Sequence, residues 1–264
     1  MNNQTYKTAV SIISIVIMYY SMGIKNTFAQ NTVKNDTIKW SYDISTSGFF
    51  SDDGATRLLV NNNGLLKTAS SNFQNRLVLN YQFGKVGERW QENDFLAYNA
   101  FRLRPEKKTF PIAVGGIETS RTRDIDFRFF IGLGGGIEVI DKKTVFAEFT
   151  LAGWYERTNY GDTDFNRDEI DGSSIRSVWR MSPRVRGDVK LNENQLIFEF
   201  EGWIQPTIDD FEDYRSFVNS SFLIQMVKKL YFKIGWLATY ESYVLQGRNQ
   251  WDSIITLGIT YKKN

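Results

Sequence analysis

The chain has 264 residues, with 32 Lys and Arg against 30 Asp and Glu, no His, no Cys and an aromatic content of 15%. Lacking imidazole and thiol, it has neither the usual general base at neutral pH nor the preferred ligands of zinc, and it has no disulfide framework. A formal net charge of +2 is no excess of the kind that nucleic-acid binding needs, so no nucleic-acid partner is expected.

The first segment is an export signal in pattern. Lys7 is followed by an almost unbroken apolar run over 9–24, and Thr27-Phe28-Ala29 offers small residues where a signal peptidase cuts. Sixteen residues fall short of the ~20 that an uncleaved transmembrane helix requires. The expected organisation is therefore a signal peptide over 1–29 and a single domain over 30–264. With no Cys near the cut, a lipid anchor on that residue is excluded. Lys7 and Lys25 leave with the signal, and thirty Lys and Arg then balance thirty Asp and Glu.

From Ile38 onward apolar residues recur at every second position, the signature of strands. Near the end, Trp251, Ser253, Ile255, Leu257, Ile259 and Tyr261 share one face, and Asp252, Thr256, Gly258, Thr260 and Lys262 share the other with Ile254. Twelve strands are predicted, over 38–49, 55–66, 72–84, 94–104, 109–119, 124–140, 144–159, 173–190, 195–206, 214–227, 230–244 and 252–262. Short connections at 68–71, 105–108, 141–143, 191–194 and 228–229 alternate with longer ones at 85–93, 160–172, 207–213 and 245–251. Tight turns at one end and loops at the other are how outer-membrane barrels are built. Lys107, Lys142, Lys143, Lys228 and Lys229 are then expected at the short-turn, periplasmic end with Lys262 and Lys263, and 162–171 at the opposite end.

The expected fold class is thus all-β, a closed antiparallel transmembrane barrel. Closure is required because lipid cannot satisfy an open strand edge. The export signal, the long strands and aromatics near strand ends separate this from a soluble periplasmic β-protein. Trp40, Tyr42, Trp154, Tyr155, Trp203, Tyr240, Tyr243, Trp251 and Tyr261 are expected to form interfacial girdles. The outer membrane of a Gram-negative-type bacterium is the expected location, with membrane lipid and the barrel-insertion machinery as partners and Tyr261 as the terminal aromatic.

Charge crowds the polar face. Arg176, Arg180, Arg184 and Arg186 alternate with Ile175, Trp179, Met181 and Val185, while Glu148 and Glu156 precede them and Glu199 and Glu201 follow. Such charges must line the lumen, because each Arg or Lys on the lipid face costs ~2–4 kcal/mol at the midplane. A loop pivot near Asn166 sets Glu156 opposite Arg176 and Glu148 opposite Arg184. A turn pivot between Asn192 and Glu193 sets Arg186 opposite Glu199 and Arg184 opposite Glu201. Arg184 would then bridge two glutamates with its forked guanidinium.

Two stretches resemble a known family, FRFFIGLGGGIEVIDKKTVFAEFTLAGWYER (127–157) and LYFKIGWLATYESYVLQGRNQWDSIITLGITY (230–261). The first is similar to a glycine-rich strand, turn and strand ending in Gly-aromatic, the second to a final hairpin with Asp252 near its last strand. Both are features of the YdiY-like family of salt-induced outer-membrane proteins. That resemblance implies an envelope barrel of unsettled molecular role.

No reaction chemistry stands out, and no catalytic, cofactor or metal residues are assigned. Glu199 and Glu201 are expected to pair with arginines rather than do acid–base work. The loop from Asp162 to Asp168 begins like a calcium loop, but Arg167 takes the place of the turn glycine and Ser173 that of the bidentate Glu. It reads as a hydrated acidic loop, as do Asp209, Asp210, Glu212 and Asp213. The glycines at 132 and 134–136 sit within an alternating strand, with no following helix to cradle phosphate, and are expected to relieve crowding or permit a bend. The functional readings are a structural or envelope-stress-adaptation barrel with an ion-paired lumen, then a narrow pore for small solutes or ions, and third a soluble periplasmic β-protein.

Overall fold

The computed structural model describes residues 38–53, 55–167 and 172–263. The expected signal segment and residues 168–171 lie outside the described residues. The strands are β1 Lys39–Asp53, β2 Ala55–Ala69, β3 Phe73–Val86, β4 Arg89–Leu103, β5 Thr109–Ser120 and β6 Ile125–Asp141. They continue as β7 Val145–Tyr160, β8 Ile175–Leu191, β9 Leu196–Pro206, β10 Tyr214–Val227, β11 Leu230–Glu241 and β12 Trp251–Lys263. Each strand pairs with its sequence neighbours, and β12 returns to β1 to close a barrel of twelve strands. The closing seam is antiparallel and runs from Tyr42 opposite Lys263 to Gly48 opposite Leu257. No edge is left among these strands, which is what a lipid environment demands.

The up-and-down order fixes the two ends. Connections 70–72, 104–108, 142–144, 192–195 and 228–229 share the end that holds Lys39 and Lys263, called here the turn end. Residues 87–88, 121–124, 161–167, 172–174, 207–213 and 242–250 occupy the loop end. Lys107, Lys142, Lys143, Lys228 and Lys229 accordingly stand at the turn end, and Asp162 and Asp164 at the loop end. The expected nine-residue loop over 85–93 is instead a two-residue turn. Gly87 takes the left-handed conformation (φ 60°) that a tight hairpin requires, and a bulge after Gly84 absorbs the extra residue. The last connection is longer than expected, since β11 stops at Glu241.

Side chains alternate between an apolar exterior and a polar interior. Exposed on the outside are Ile131, Leu133, Leu151, Trp179, Ile255 and Leu257. Buried on the opposite parity are Arg128, Glu148, Glu156, Arg180, Thr256 and Thr260. A soluble protein of this size would bury the first set and show the second to water.

Three of the expected girdle aromatics are not in the girdle. Trp154 is buried on the inner face of β7, and Trp203 stacks on Phe217 within the inner wall of β9 and β10 (5.1 Å between rings). Tyr243 is buried at the loop end beside Phe165 and Leu245. Parity decides the first two. Trp154 has the same parity as Glu148 and Glu156, and Trp203 the same as Glu199 and Glu201, so a charged inner face carries them inward. The others keep the outer parity, with Trp40 and Trp251 well exposed.

Candidate functional site

The middle of the inner face of β6 is glycine. Gly132, Gly134 and Gly136 point inward, where a Cβ on any of them would collide with β7 or with the Phe110 ring: with Trp154 at the first, with Ala152 and the Leu151 carbonyl at the second, with Phe110 and Thr150 at the third. These glycines relieve crowding, as expected, and let Trp154 and Phe110 pack within the barrel. Gly135, on the outer face, meets nothing closer than 3.5 Å.

Around this packed wall the interior charges form two groups. The first lies toward the loop end. Arg128 of β6 reaches Glu118 of β5 (2.9 Å), Glu241 of β11 (3.3 Å) and Glu156 of β7 (3.7 Å). Its Nε donates to Thr158 Oγ1 at 3.0 Å. Glu156 also receives Arg180 (3.3 Å) and Arg215 of β10, and Arg215 donates to Gln205 Oε1 at 2.8 Å. Arg123, in the turn between β5 and β6, adds contacts to Glu118 (3.5 Å) and Glu241 (3.4 Å). Burial alone would lower the Arg123 pKa; Glu241 and Glu118 outweigh it and hold the pKa raised. Arg176 pairs with Asp213, which also lies 3.5 Å from Arg180. Asp213 is therefore no hydrated loop residue but a buried counter-ion, held in a tight β9–β10 loop in which Thr207 N donates to the Asp213 carbonyl at 2.9 Å.

The second group spans the middle and the turn end. Arg184 of β8 meets Glu201 of β9 at 2.6 Å and donates to the Tyr98 hydroxyl of β4 at 2.8 Å. Arg76 of β3 donates to the same hydroxyl at 2.9 Å and lies 3.6 Å from Glu201. Arg186 pairs with Glu148, Arg102 with Glu138 (2.7 Å), and Lys262 with Glu199 and with Asp43 (3.6 Å). Bonds from β6 to β11, and from β3 and β4 to β8 and β9, join strands that are not neighbours in the wall. In a closed barrel they pass through the interior.

The expected ladder pairings need correction. Glu148 faces Arg186, not Arg184, and Arg176 faces Thr158, not Glu156. Arg186 faces Glu201 and Glu199 faces Asp188. Both registers are shifted by two residues from the turn arithmetic, which preserves facing and changes partners. After β8 the cause is visible: Asn192, Glu193 and Asn194 all adopt positive φ in a turn that closes at Leu191 opposite Leu196. Its centre is thus one residue later than assumed. Arg184 does reach Glu201, but diagonally, and its second partner is Tyr98 rather than Glu148.

Arg76, Tyr98, Arg102, Glu118, Arg123, Arg128, Arg215 and Glu241 complete the two groups without having been singled out as candidates in the sequence. Their inward parity was readable strand by strand; their convergence was not. Among the described residues no group of three carboxylates is placed to hold a metal ion.

The loop end is covered. Phe165 bridges to Leu245, Asn166 N donates to the Val244 carbonyl at 3.0 Å, and Ile125, Tyr160, Phe165, Tyr243 and Leu245 cluster beneath. Arg176 lies over the Tyr243 ring at 4.2 Å, so the apolar cover rests on the charged layer.

The fold is similar to a solved structure of the NanC porin, with a TM-score of 0.52, 10% identity, and 84% of this chain covering 100% of that one. Weaker likenesses are to the translocator domain of the autotransporter NalP from Neisseria meningitidis (TM-score 0.45, 8% identity, 98% and 97% covered) and to the outer membrane channel DcaP of Acinetobacter baumannii (0.38, 10%, 89% and 100%). At such identities the likeness is one of fold. No curated protein sequence matches the chain. Residues 57–262 match the family model described as "Protein of unknown function, DUF481", and the chain belongs to that family.

Proposed function

We propose that this protein is an outer-membrane barrel of structural or envelope-adaptation type, whose interior is closed by paired charges and passes little current. The observation that carries the reading is the contact of Arg128 with Glu241 across the barrel, inside a layer shared with Glu118, Glu156, Arg180 and Arg215. A conducting path needs an open, hydrated wall; here opposite charges meet in the middle and the loop end is covered. The exposed apolar exterior supports residence in lipid, reached after removal of the signal over 1–29 and insertion by the barrel machinery. The resemblance to YdiY-like salt-induced proteins agrees with an adaptive role. A chain without imidazole, whose Glu148, Glu156, Glu201 and Glu241 are engaged by arginines and whose Glu199 is engaged by Lys262, supports a non-enzymatic reading.

The test is conductance. Purified protein in a planar bilayer should stay near the leak level in potassium chloride, and replacing Glu118, Glu156 and Glu241 by Gln should raise and destabilise the current. A steady wild-type conductance of porin size would overturn the closed reading. It would favour a narrow pore for small solutes or ions, a second reading supported by the accessible surface that Arg76, Arg184, Arg186 and Glu201 retain.

A further inference from the structure

Beyond the closed layer, the turn-end half of the interior is imbalanced. Lys67 of β2 stands directly opposite Arg76 of β3, both on the inner face. Opposed side chains on one face are ~4.5–5.5 Å apart at Cβ, and like charges so placed repel. Lys67 also feels the attraction of Asp43, opposed by Arg186 and Lys262. The carboxylates there are already engaged: Glu201 by Arg184, Glu148 by Arg186, and Glu199 and Asp43 by Lys262. Arg76 has only the 3.6 Å approach to Glu201, and Lys67 makes no ion pair among the described residues. The Nε atoms of Arg76 and Arg184 are buried and find no acceptor.

The centre of the closed layer is the driest part of the interior. The side chains of Arg128, Glu156 and Arg180 are only 1–2% exposed. Arg76, Arg184 and Arg186 keep 17–21% in the same terms. Solvent-sized molecules therefore reach these three guanidinium groups and not the centre of the layer above them. One cation without an ion pair, opposite another that shares its carboxylate with Arg184, favours a multivalent anion, and guanidinium forks match planar or tetrahedral oxygens better than chloride.

We propose that the turn-end half of the interior binds a small, doubly charged oxyanion of the phosphate or sulfate class, gripped by Lys67, Arg76 and Arg186 beside Lys262. Lys67 is the specific element. It makes no ion pair among the described residues, so neutralising it relieves repulsion from Arg76 and should leave folding intact. A free inorganic anion and the phosphoryl group of a small solute carry the same chemistry.

The test uses the full folded chain in detergent micelles, titrated calorimetrically with inorganic phosphate while sodium chloride holds ionic strength constant. Wild type is expected to show saturable one-site binding, and Lys67→Gln to weaken it about tenfold, the equivalent of ~1.4 kcal/mol. Lys190→Gln, which removes a turn-end cation already paired with Asp188 at 3.3 Å, should bind like wild type. Phosphate should raise the unfolding temperature of wild type and of Lys190→Gln but not of Lys67→Gln. A parallel titration with a sugar phosphate separates the two sources: tighter binding assigns a solute, equal binding the bare anion. Absence of saturable heat, or equal affinity in Lys67→Gln and wild type, overturns the proposal. The outcome is independent of conductance, so an open lumen would refute the closed reading and leave this one standing, and the reverse.

Discussion

The Arg128 guanidinium and the Glu241 carboxylate lie 3.3 Å apart although β6 and β11 are separated by four intervening strands in the wall. Both side chains are almost wholly buried, so each depends on the other for its charge to be tolerated. Arg128→Met should therefore cost about 3–5 kcal/mol, the usual penalty for removing one partner of a buried pair. The double replacement Arg128→Met with Glu241→Met should cost less than the sum of the single ones. Urea unfolding in micelles, followed by tryptophan fluorescence, measures the cycle; strict additivity would mean the two groups are not coupled.

Arg184 sits in the more accessible group, with Glu201 at 2.6 Å and the Tyr98 hydroxyl at 2.8 Å. Arg184→Leu leaves Glu201 with Arg76 alone, at 3.6 Å. Partial hydration softens the loss, and a cost of about 2 kcal/mol is expected, below that of a dry pair. The same unfolding titration reads it, and a cost equal to that of Arg128→Met would show the middle of the barrel to be as dry as the loop end.

The glycine strand offers a matched pair of adjacent substitutions. Gly134→Ala drives a methyl into Ala152 and the Leu151 carbonyl, and Gly135→Ala places one on the outer face with ordinary contacts. Overpacking costs ~1–3 kcal/mol, so the first should lower the unfolding midpoint and the second leave it within error. Equal effects would contradict the inward assignment of Gly134.

Leu133 lies midway along β6 and is 72% exposed on the outer face. In a bilayer, Leu133→Arg should destabilise the barrel by ~2–4 kcal/mol. Refolding into lipid vesicles should be impaired for this variant and normal for Leu133→Phe. Indifference to the arginine would place that face in water.

The sequence by itself determined the parity of nearly every wall position. Ile131 and Leu133 outward and Arg128 inward follow from a backbone period of two, which turns successive side chains to opposite faces whatever the tertiary context. The strand number and the sorting of turns to two ends followed as well, since hairpin connections leave little choice of order. Partners were another matter. Glu148 meets Arg186 and not Arg184 because the register depends on how many residues a turn consumes, and the positive φ values at Asn192, Glu193 and Asn194 are a property of the folded turn. Trp154 and Trp203 went inward because their strands' charged faces did, overriding the preference of tryptophan for an interface. Pairing across the interior, as in Arg128 with Glu241, Arg184 with the Tyr98 hydroxyl or Arg76 with Glu201, carries no trace in local sequence. Those contacts join strands distant in order, and only the curvature of a closed wall brings them within reach.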